Sequence, residues 1–426
     1  MFAFINDKKN NHFMCLWLAQ LISQFGDRLN QMALIGLIAE RAPGSALGLA
    51  KLLSFTIFPV FIIGPIAGAL VDRWDHRRTM FVCDICRGLL VLSIALSLIY
   101  RDSMLPIYGV VFLAFCFSRF YVPAKMAIIP DLVTKENLLM ANSLMTTTGM
   151  IAFVLGCALG GFIVDRVGAR GGFIGDAITF FASALLILSI KPKLLKIKFN
   201  AKRIIVAGGE ILKIEKSLWR EVREGVRYIV THKEISFVMN MLFILLAAAG
   251  AVYVVIIVFI QETFGSVTKD LGVLAVLLGL GLFLGTLIYG RWGKNIPWYK
   301  TIFFCLILGG VMIMVFAAVV MRYPNLLVAG SLALILGMVI GPIFIAANTI
   351  VHFVSDEQMR GKVFSAMEIV IHFAFLVAML VSSIISEHVP RSLILIAVGL
   401  IFAGVGMLGL LHHKEYALAL KDPQMA

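Results

Sequence analysis

"GALVDRWDHRR", Gly68–Arg78, crowds six ionisable side chains into the seven residues Asp72–Arg78, directly behind an apolar run. A knot of this kind marks an edge, and the stretches on either side show what it borders. The chain has 426 residues, 61% of them hydrophobic and 14% charged, with a mean hydropathy of +0.98. A soluble domain carries about 25% charged residues. No soluble fold hides this much apolar surface, so the solvent is a bilayer. A helix spans a bilayer with roughly 20 apolar residues. Twelve such stretches can be cut out, at 12–39, 45–71, 79–100, 104–129, 138–164, 171–190, 235–261, 270–290, 299–321, 325–350, 362–386 and 391–412. Strands of a membrane barrel run about ten residues and alternate, which excludes that architecture.

The formal charge of +13 does not point to nucleic acid, because its placement has another explanation. With the N-terminus inside, the cytoplasmic segments, termini included, hold thirteen Lys and Arg: Lys8, Lys9, Arg73, Arg77, Arg78, Lys135, Arg291, Lys294, Lys300, Arg360, Lys362, Lys414 and Lys421. Residues 191–234 add twelve more, against eight in the outer loops. This bias is the positive-inside rule. It predicts a multi-pass protein of the inner (cytoplasmic) membrane with both termini in the cytoplasm, its basic face on anionic lipid. The first apolar run is too long for the core of a cleavable signal sequence. All six cysteines fall in apolar runs, and the lone pair Cys83 and Cys86 has no second pair or nearby histidine to make a metal site. No metal or bound cofactor is expected.

Residues 191–234 divide the chain into an N-terminal part, 1–190, and a C-terminal part, 235–426. The linker ends in "SLWREVREGVRYIVTHKEI" (217–235), which places Trp219, Val222, Val226 and Ile229 on one helical face, as an interfacial amphipathic helix does. The halves echo each other. "GALVDRWDHRR" returns as "GTLIYGRWGK" (285–294), and "PAKMAIIPDLVTKENLLMANS" (123–143) as "AANTIVHFVSDEQMRGKVFSA" (346–366). Parallel repeats about an axis along the membrane normal are a transporter architecture, with substrate held near the midplane.

These residues resemble a known family. "GALVDRWDHRR" is similar to the loop between the second and third helices of the major facilitator superfamily, and its Asp75 is common in that family's bacterial drug- and siderophore-exporter branch. "VPAKMAIIPDLVTKENLLMANSL" and the 217–235 segment resemble the same branch. The resemblance implies an all-α integral membrane protein of twelve transmembrane helices in two pseudo-symmetric six-helix bundles. It implies that the knot is a gate. Asp72 would face the start of the eleventh helix near Arg360 and Gly361, with Arg73, Arg77 and Arg78 completing a latch that Asp84 and Arg87 support. Gly68 and Gly64 would let the second helix approach a neighbour closely. The alternative is a loop that only obeys the charge rule. In the second copy Tyr289 stands where Asp72 does, so the latch is asymmetric.

An ionised group at mid-membrane costs about 2.5–3.5 kcal/mol on insertion scales and so marks function. "SQFGDRLNQ" puts Asp27 roughly 22 Å into the first run at 1.5 Å per residue, with Gln24 and Gln31 at helical spacing and Arg28 about 100° away. This stripe either lines a central cavity or makes a structural ion pair. Asp84 and Arg87 stand at i, i+3 and can pair. Arg119, in the fourth run, is offered as counter-ion to Asp27 or to Glu368, and resembles weakly the arginine of the superfamily's antiporter motif. Glu368 and His372, at i, i+4 in the eleventh run, form either a proton relay or an acid reaching the inner surface. "GMIAFVLGCALGG" (149–161) keeps Gly156, Gly160 and Gly161 of the exporter motif but has Cys157 for its proline. "ARGGFIGD" (169–176) reads as an outer turn.

No phosphate-binding loop, catalytic triad or zinc spacing is visible, so neither ATP nor enzymatic chemistry is expected. The expectation is a secondary transporter driven by the proton gradient, an antiporter exporting a small amphipathic molecule as a monomer. "AQLISQFGD", "PAK" and "ANSLM" also resemble the superfamily's lysophospholipid flippases, which leaves that reading open, with a non-transporting receptor or scaffold behind it.

Overall fold

The computed structural model describes residues 11–100, 103–190, 223–224, 227–228, 230–231, 233–293, 296–354 and 357–411, and contains no strand among them. Its helices are α1 (Asn11–Arg41), α2 (Ala46–Ile62), α3 (Gly64–Val71), α4 (His76–Tyr100), α5 (Leu105–Leu132), α6 (Leu138–Leu188), α7 (Lys233–Phe264), α8 (Lys269–Trp292), α9 (Trp298–Arg322), α10 (Leu326–Val354), α11 (Glu357–Ile385) and α12 (Arg391–Leu411). All twelve apolar runs lie on these helices. Among the described residues nine helices are long and apolar enough to cross a membrane, with Lys135–Leu188 counted once. The linker's amphipathic face, from Trp219 to Ile229, lies outside the described residues.

Three runs depart from a one-run, one-helix scheme. The second breaks at Ile63, where Pro65 in the first turn of α3 has no N–H to continue the ladder. The fifth and sixth form the single α6, interrupted at Gly168 with φ 73° and ψ 174°. Only glycine adopts that backbone at no steric cost. The outer turn expected at 169–176 is therefore wrong: Gly168 makes the break, and 169–176 are helical. The later glycines serve packing. A Cβ on Gly172 would lie 2.8 Å from that of Ala33, and one on Gly175 would lie 2.7 Å from Leu29 Cδ2.

Polarity is inverted relative to a soluble protein. Leu89, Ile178 and Leu185 are 56%, 61% and 66% exposed, while Asp84 and Asp176 on the same helices are 0% exposed. Outward apolar faces of this extent require lipid.

Contacts divide the chain into two compact units, one of Met1–Leu37 with Leu52–Trp219, the other of Ile38–Lys51 with Arg220–Ala426. In the first, α4 packs on α5 and α6, and α3 on α5. In the second, α8 packs on α10, α9 on α12 and α7 on α11. The α8–α10 contact is reciprocal. A Cβ at Gly281 or Gly285 would overlap the carbonyls of Leu334 and Met338, and one at Gly337 or Gly341 those of Leu278 and Leu282. Lipid tails are as apolar as leucine, so close approach and dispersion, rather than water exclusion, hold such pairs.

Residues 38–51 were expected with the first bundle, yet by their contacts they belong to the second unit. Arg391 pairs with Glu262 at 2.9 Å and donates to the Gly44 carbonyl at 2.5 Å, while Glu387 accepts from Ser45 Oγ and the Leu47 N–H, each at 3.4 Å.

Candidate functional site

Four helices of the first unit converge on one polar cluster. α4 presents Asp84 and Arg87 on one face, and the two form a buried ion pair. Asp84 spends its other oxygen on Ser183 of α6, which donates at 2.6 Å. Arg87 reaches Ser118 of α5 at 3.5 Å and lies between two aromatic faces, Tyr121 at 4.5 Å and Phe180 at 4.3 Å. Its Nη1 stands 3.8 Å from Asp27 Oδ1 of α1. Lys125 of α5 is close enough to Asp27 and Arg87 to interact with both electrostatically. Asp176, one α6 turn beyond Phe180, packs against the backbone of Gly26.

Depth follows from helix rise. At 1.5 Å per residue Arg87 lies about 16 Å from the start of α4, and Asp176 about 18 Å from the end of α6. Both helix ends meet at the 72–78 loop, because Arg77 donates to the carbonyls of Ile187 and Leu188. An apolar core of Phe13, Leu16, Met80, Ala124, Ile128 and Ile187 lies between that loop and the charges.

Exposure sorts the cluster. Arg87 and Asp84 have side chains 4% and 0% exposed, whereas the Asp27 side chain is 42% exposed. Asp84 is fully committed to an ion pair and a hydroxyl. Asp27 has one cation at the limit of ion-pair distance and an open side. It is therefore the acid in this set that a proton or a solute cation can reach without dismantling buried bonds. Among the described residues no group of three or more His, Cys, Asp or Glu is placed to hold a metal ion.

The expected stripe on α1 separates into two faces. Asp27 turns to α4. Gln24 lies against Gly149 of α6, where a Cβ would be 3.3 Å from its Oε1. Arg28 donates to Gln31 Oε1 at 2.9 Å and covers the Phe153 ring at 4.7 Å. Gly156 and Gly160 admit α1: added Cβ atoms would lie 2.7 Å from Arg28 Cβ and 3.3 Å from Leu29 Cα. Gly161 is buried beside them. The guanidinium seen against Asp27 is that of Arg87; Arg119 is partly buried on α5.

Glu368 is exposed, and His372 Nδ1 meets the Glu368 backbone carbonyl at 2.7 Å, so the acid–imidazole contact of a relay is not made. No described atom lies within 4 Å of a Cβ built at Gly64 or Gly68, so the close helix approach expected there is absent among the described residues. In the knot itself, Asp75 caps α4 by accepting the Arg78 N–H at 2.7 Å, and Trp74 stacks on Phe120 at 5.7 Å. Asp72, Arg73 and Arg78 are exposed. The side chain of Arg360, named as the opposing side of a latch, lies outside the described residues.

Sequence reasoning missed Asp176. The signal was present, since Asp176, Phe180 and Ser183 recur at i, i+4, i+7 and share a helix face. Reading 169–176 as a turn hid it.

Comparison with known proteins places this architecture. A sequence profile of the Major Facilitator Superfamily matches residues 16–374 and, again, 238–422. The uncharacterized MFS-type transporter YkuC of Bacillus subtilis (strain 168) is 26% identical over 427 residues, covering 97% of this chain and 93% of the relative. Macrolide efflux protein A of Streptococcus pyogenes is 24% identical over 305 residues, covering 68% and 69%. The crystal structure of a bacterial homologue of the iron transporter ferroportin, in its inward-facing state, superposes with a TM-score of 0.69 over 93% of this chain and 98% of that one, at 14% identity. That level of identity supports the fold. With a profile match across nearly the whole length and a helical, lipid-exposed architecture, the chain belongs to the major facilitator superfamily, a membrane-spanning transporter and not an enzyme.

Proposed function

We propose that this transporter is a proton-coupled exporter of small amphipathic molecules, working by alternating access in the inner membrane with both termini in the cytoplasm. One observation carries the reading: Asp27 is the half-exposed acid of a cluster whose other ion pair is buried. At 3.8 Å from Arg87, its attraction is about 4 kcal/mol at an effective dielectric of 20 and about 1 kcal/mol in water. Protonating Asp27, or pairing it with a solute cation, removes that attraction and frees Arg87 to lean wholly on Asp84. Proton and solute then compete for one carboxylate, which is the minimum that exchange requires. The efflux named for the Streptococcus relative supports the outward direction and an amphipathic cargo. The 72–78 loop is tied to the end of α6 through Arg77, and this suits a gate rim that moves rigidly with its bundle.

The test is transport by the full chain in proteoliposomes with a labelled macrolide as cargo. An imposed pH gradient is expected to drive accumulation, and Asp27→Asn to abolish it. Transport indifferent to both the gradient and Asp27 would refute antiport. Movement of lysophospholipid but no macrolide would assign the protein to the flippases instead.

A further inference from the structure

Asp176 is a charge the mechanism above does not use. It lies near mid-depth on α6, 0% exposed. The Thr179 hydroxyl donates to the Asp176 backbone carbonyl at 2.7 Å and lies 3.3 Å from Oδ1, while Oδ2 is buried with no hydrogen-bond partner among the described residues. A Cβ on Gly26 would fall 2.5 Å from Oδ1, so the α1 backbone at the residue before Asp27 lies directly on this carboxyl. The charged groups facing it are Asp27 from α1 and Arg87 from α4, and the Asn30 side chain of α1 stands close enough to donate a hydrogen bond to it.

Charge balance singles it out. The cluster holds three acids, Asp27, Asp84 and Asp176, and two bases, Arg87 and Lys125. Arg87 is committed to Asp84 by direct contact. Lys125 acts on Asp27. Asp176 is left without a cation in contact, and an ionised carboxylate stripped of water and unpaired is strongly disfavoured. A buried oxygen with no partner calls for an explanation, and a proton carried on Oδ2 supplies one: with that single proton the three acids and two bases sum to zero charge.

Resting on the proton-coupled reading, we propose that Asp176 is the inner store of the coupling proton and Asp27 its outlet. The O–H bond on Asp176 breaks as one forms on the Asp27 carboxylate, and the negative charge passes to Asp176. Asp27 then releases the proton through its exposed side. Arg87, 3.8 Å from Asp27 and close enough to Asp176 to interact with it electrostatically, is the cation that can follow the charge. Coupling belongs to the pair, and the half-exposed acid alone does not suffice.

Infrared difference spectroscopy of the full chain in lipid vesicles tests this without a known cargo. The wild type is expected to show a protonated-carboxyl band typical of apolar surroundings, shifting on transfer to D2O. Asp176→Asn should remove it, and Thr179→Val, which deletes the hydroxyl donor, should move it. A band that survives in Asp176→Asn, or one that never exchanges with D2O, would overturn the proposal, the latter because a fixed neutral acid is structural. In the macrolide assay Asp176→Asn should lose gradient-driven accumulation yet keep counterflow exchange; accumulation equal to wild type would equally overturn it. Should the wild type carry no macrolide, the export reading fails and the infrared arm still decides Asp176.

Discussion

Replacing Asp84 by leucine should be among the most damaging single changes in the first unit. Asp84 is fully buried, pairs directly with Arg87 and accepts from Ser183 at 2.6 Å. Leucine leaves the guanidinium at 4% exposure with only Asp27 at 3.8 Å as counter-charge. Breaking one side of a buried ion pair costs about 3–5 kcal/mol. The rings of Tyr121 and Phe180, at 4.5 and 4.3 Å, each return at most about 2 kcal/mol to a desolvated cation, and they do so in the wild type as well, so they do not offset the loss. Asp84→Asn keeps the acceptor for Ser183 and loses only charge, so it should fall between leucine and wild type. The double variant Asp84→Leu with Arg87→Met removes both charges and should recover to within about 1 kcal/mol of wild type, because apolar replacements of a whole buried pair are often neutral. Equilibrium unfolding in mixed micelles, read by tryptophan fluorescence, gives the order. A double variant less stable than Asp84→Leu alone would refute the reasoning, since the losses would then come from packing volume and not from an orphaned charge.

Two further changes probe the frame around the site. Gly285→Leu drives a side chain into the Met338 carbonyl and should destabilise the α8–α10 pair by about 1–3 kcal/mol, whereas Gly290→Ala, with none of the described residues within 4 Å of the added Cβ, should be neutral; heating followed by size-exclusion chromatography separates the two. Asp75→Ala removes the cap on the Arg78 N–H and should cost about 1 kcal/mol, seen as faster hydrogen exchange at Arg78 and Thr79, with Asp75→Ser restoring most of the protection.

How much of this was legible beforehand depends on the range of the interaction. The Asp84–Arg87 pair was readable because i, i+3 neighbours on a helix face each other whatever surrounds them. The pairing of Asp27 with Arg87 was not readable, because Arg119 also lies at plausible depth and only the rotation of α4 about its own axis brings Arg87 to face α1. Gln24 and Arg28 point to α6 for a similar reason: Gly149, Gly156 and Gly160 open a groove that takes that face of α1. His372 stands at helical spacing from Glu368, yet its ring turns to the backbone carbonyl, a rotamer choice that spacing does not set. Asp176 was lost to a misread turn, since glycine-rich stretches serve close packing in membranes as readily as reversals.

By itself, then, the sequence determined that the chain is a set of apolar helices in a bilayer, since in lipid every backbone N–H and C=O must be satisfied within its own segment and hydrophobic length alone announces where that happens. It also determined where the charged rims fall. Only the tertiary structure decided which buried charges meet, because that rests on the azimuth of each helix, and azimuth is set jointly by small-residue contacts scattered over several helices and visible in none of them alone.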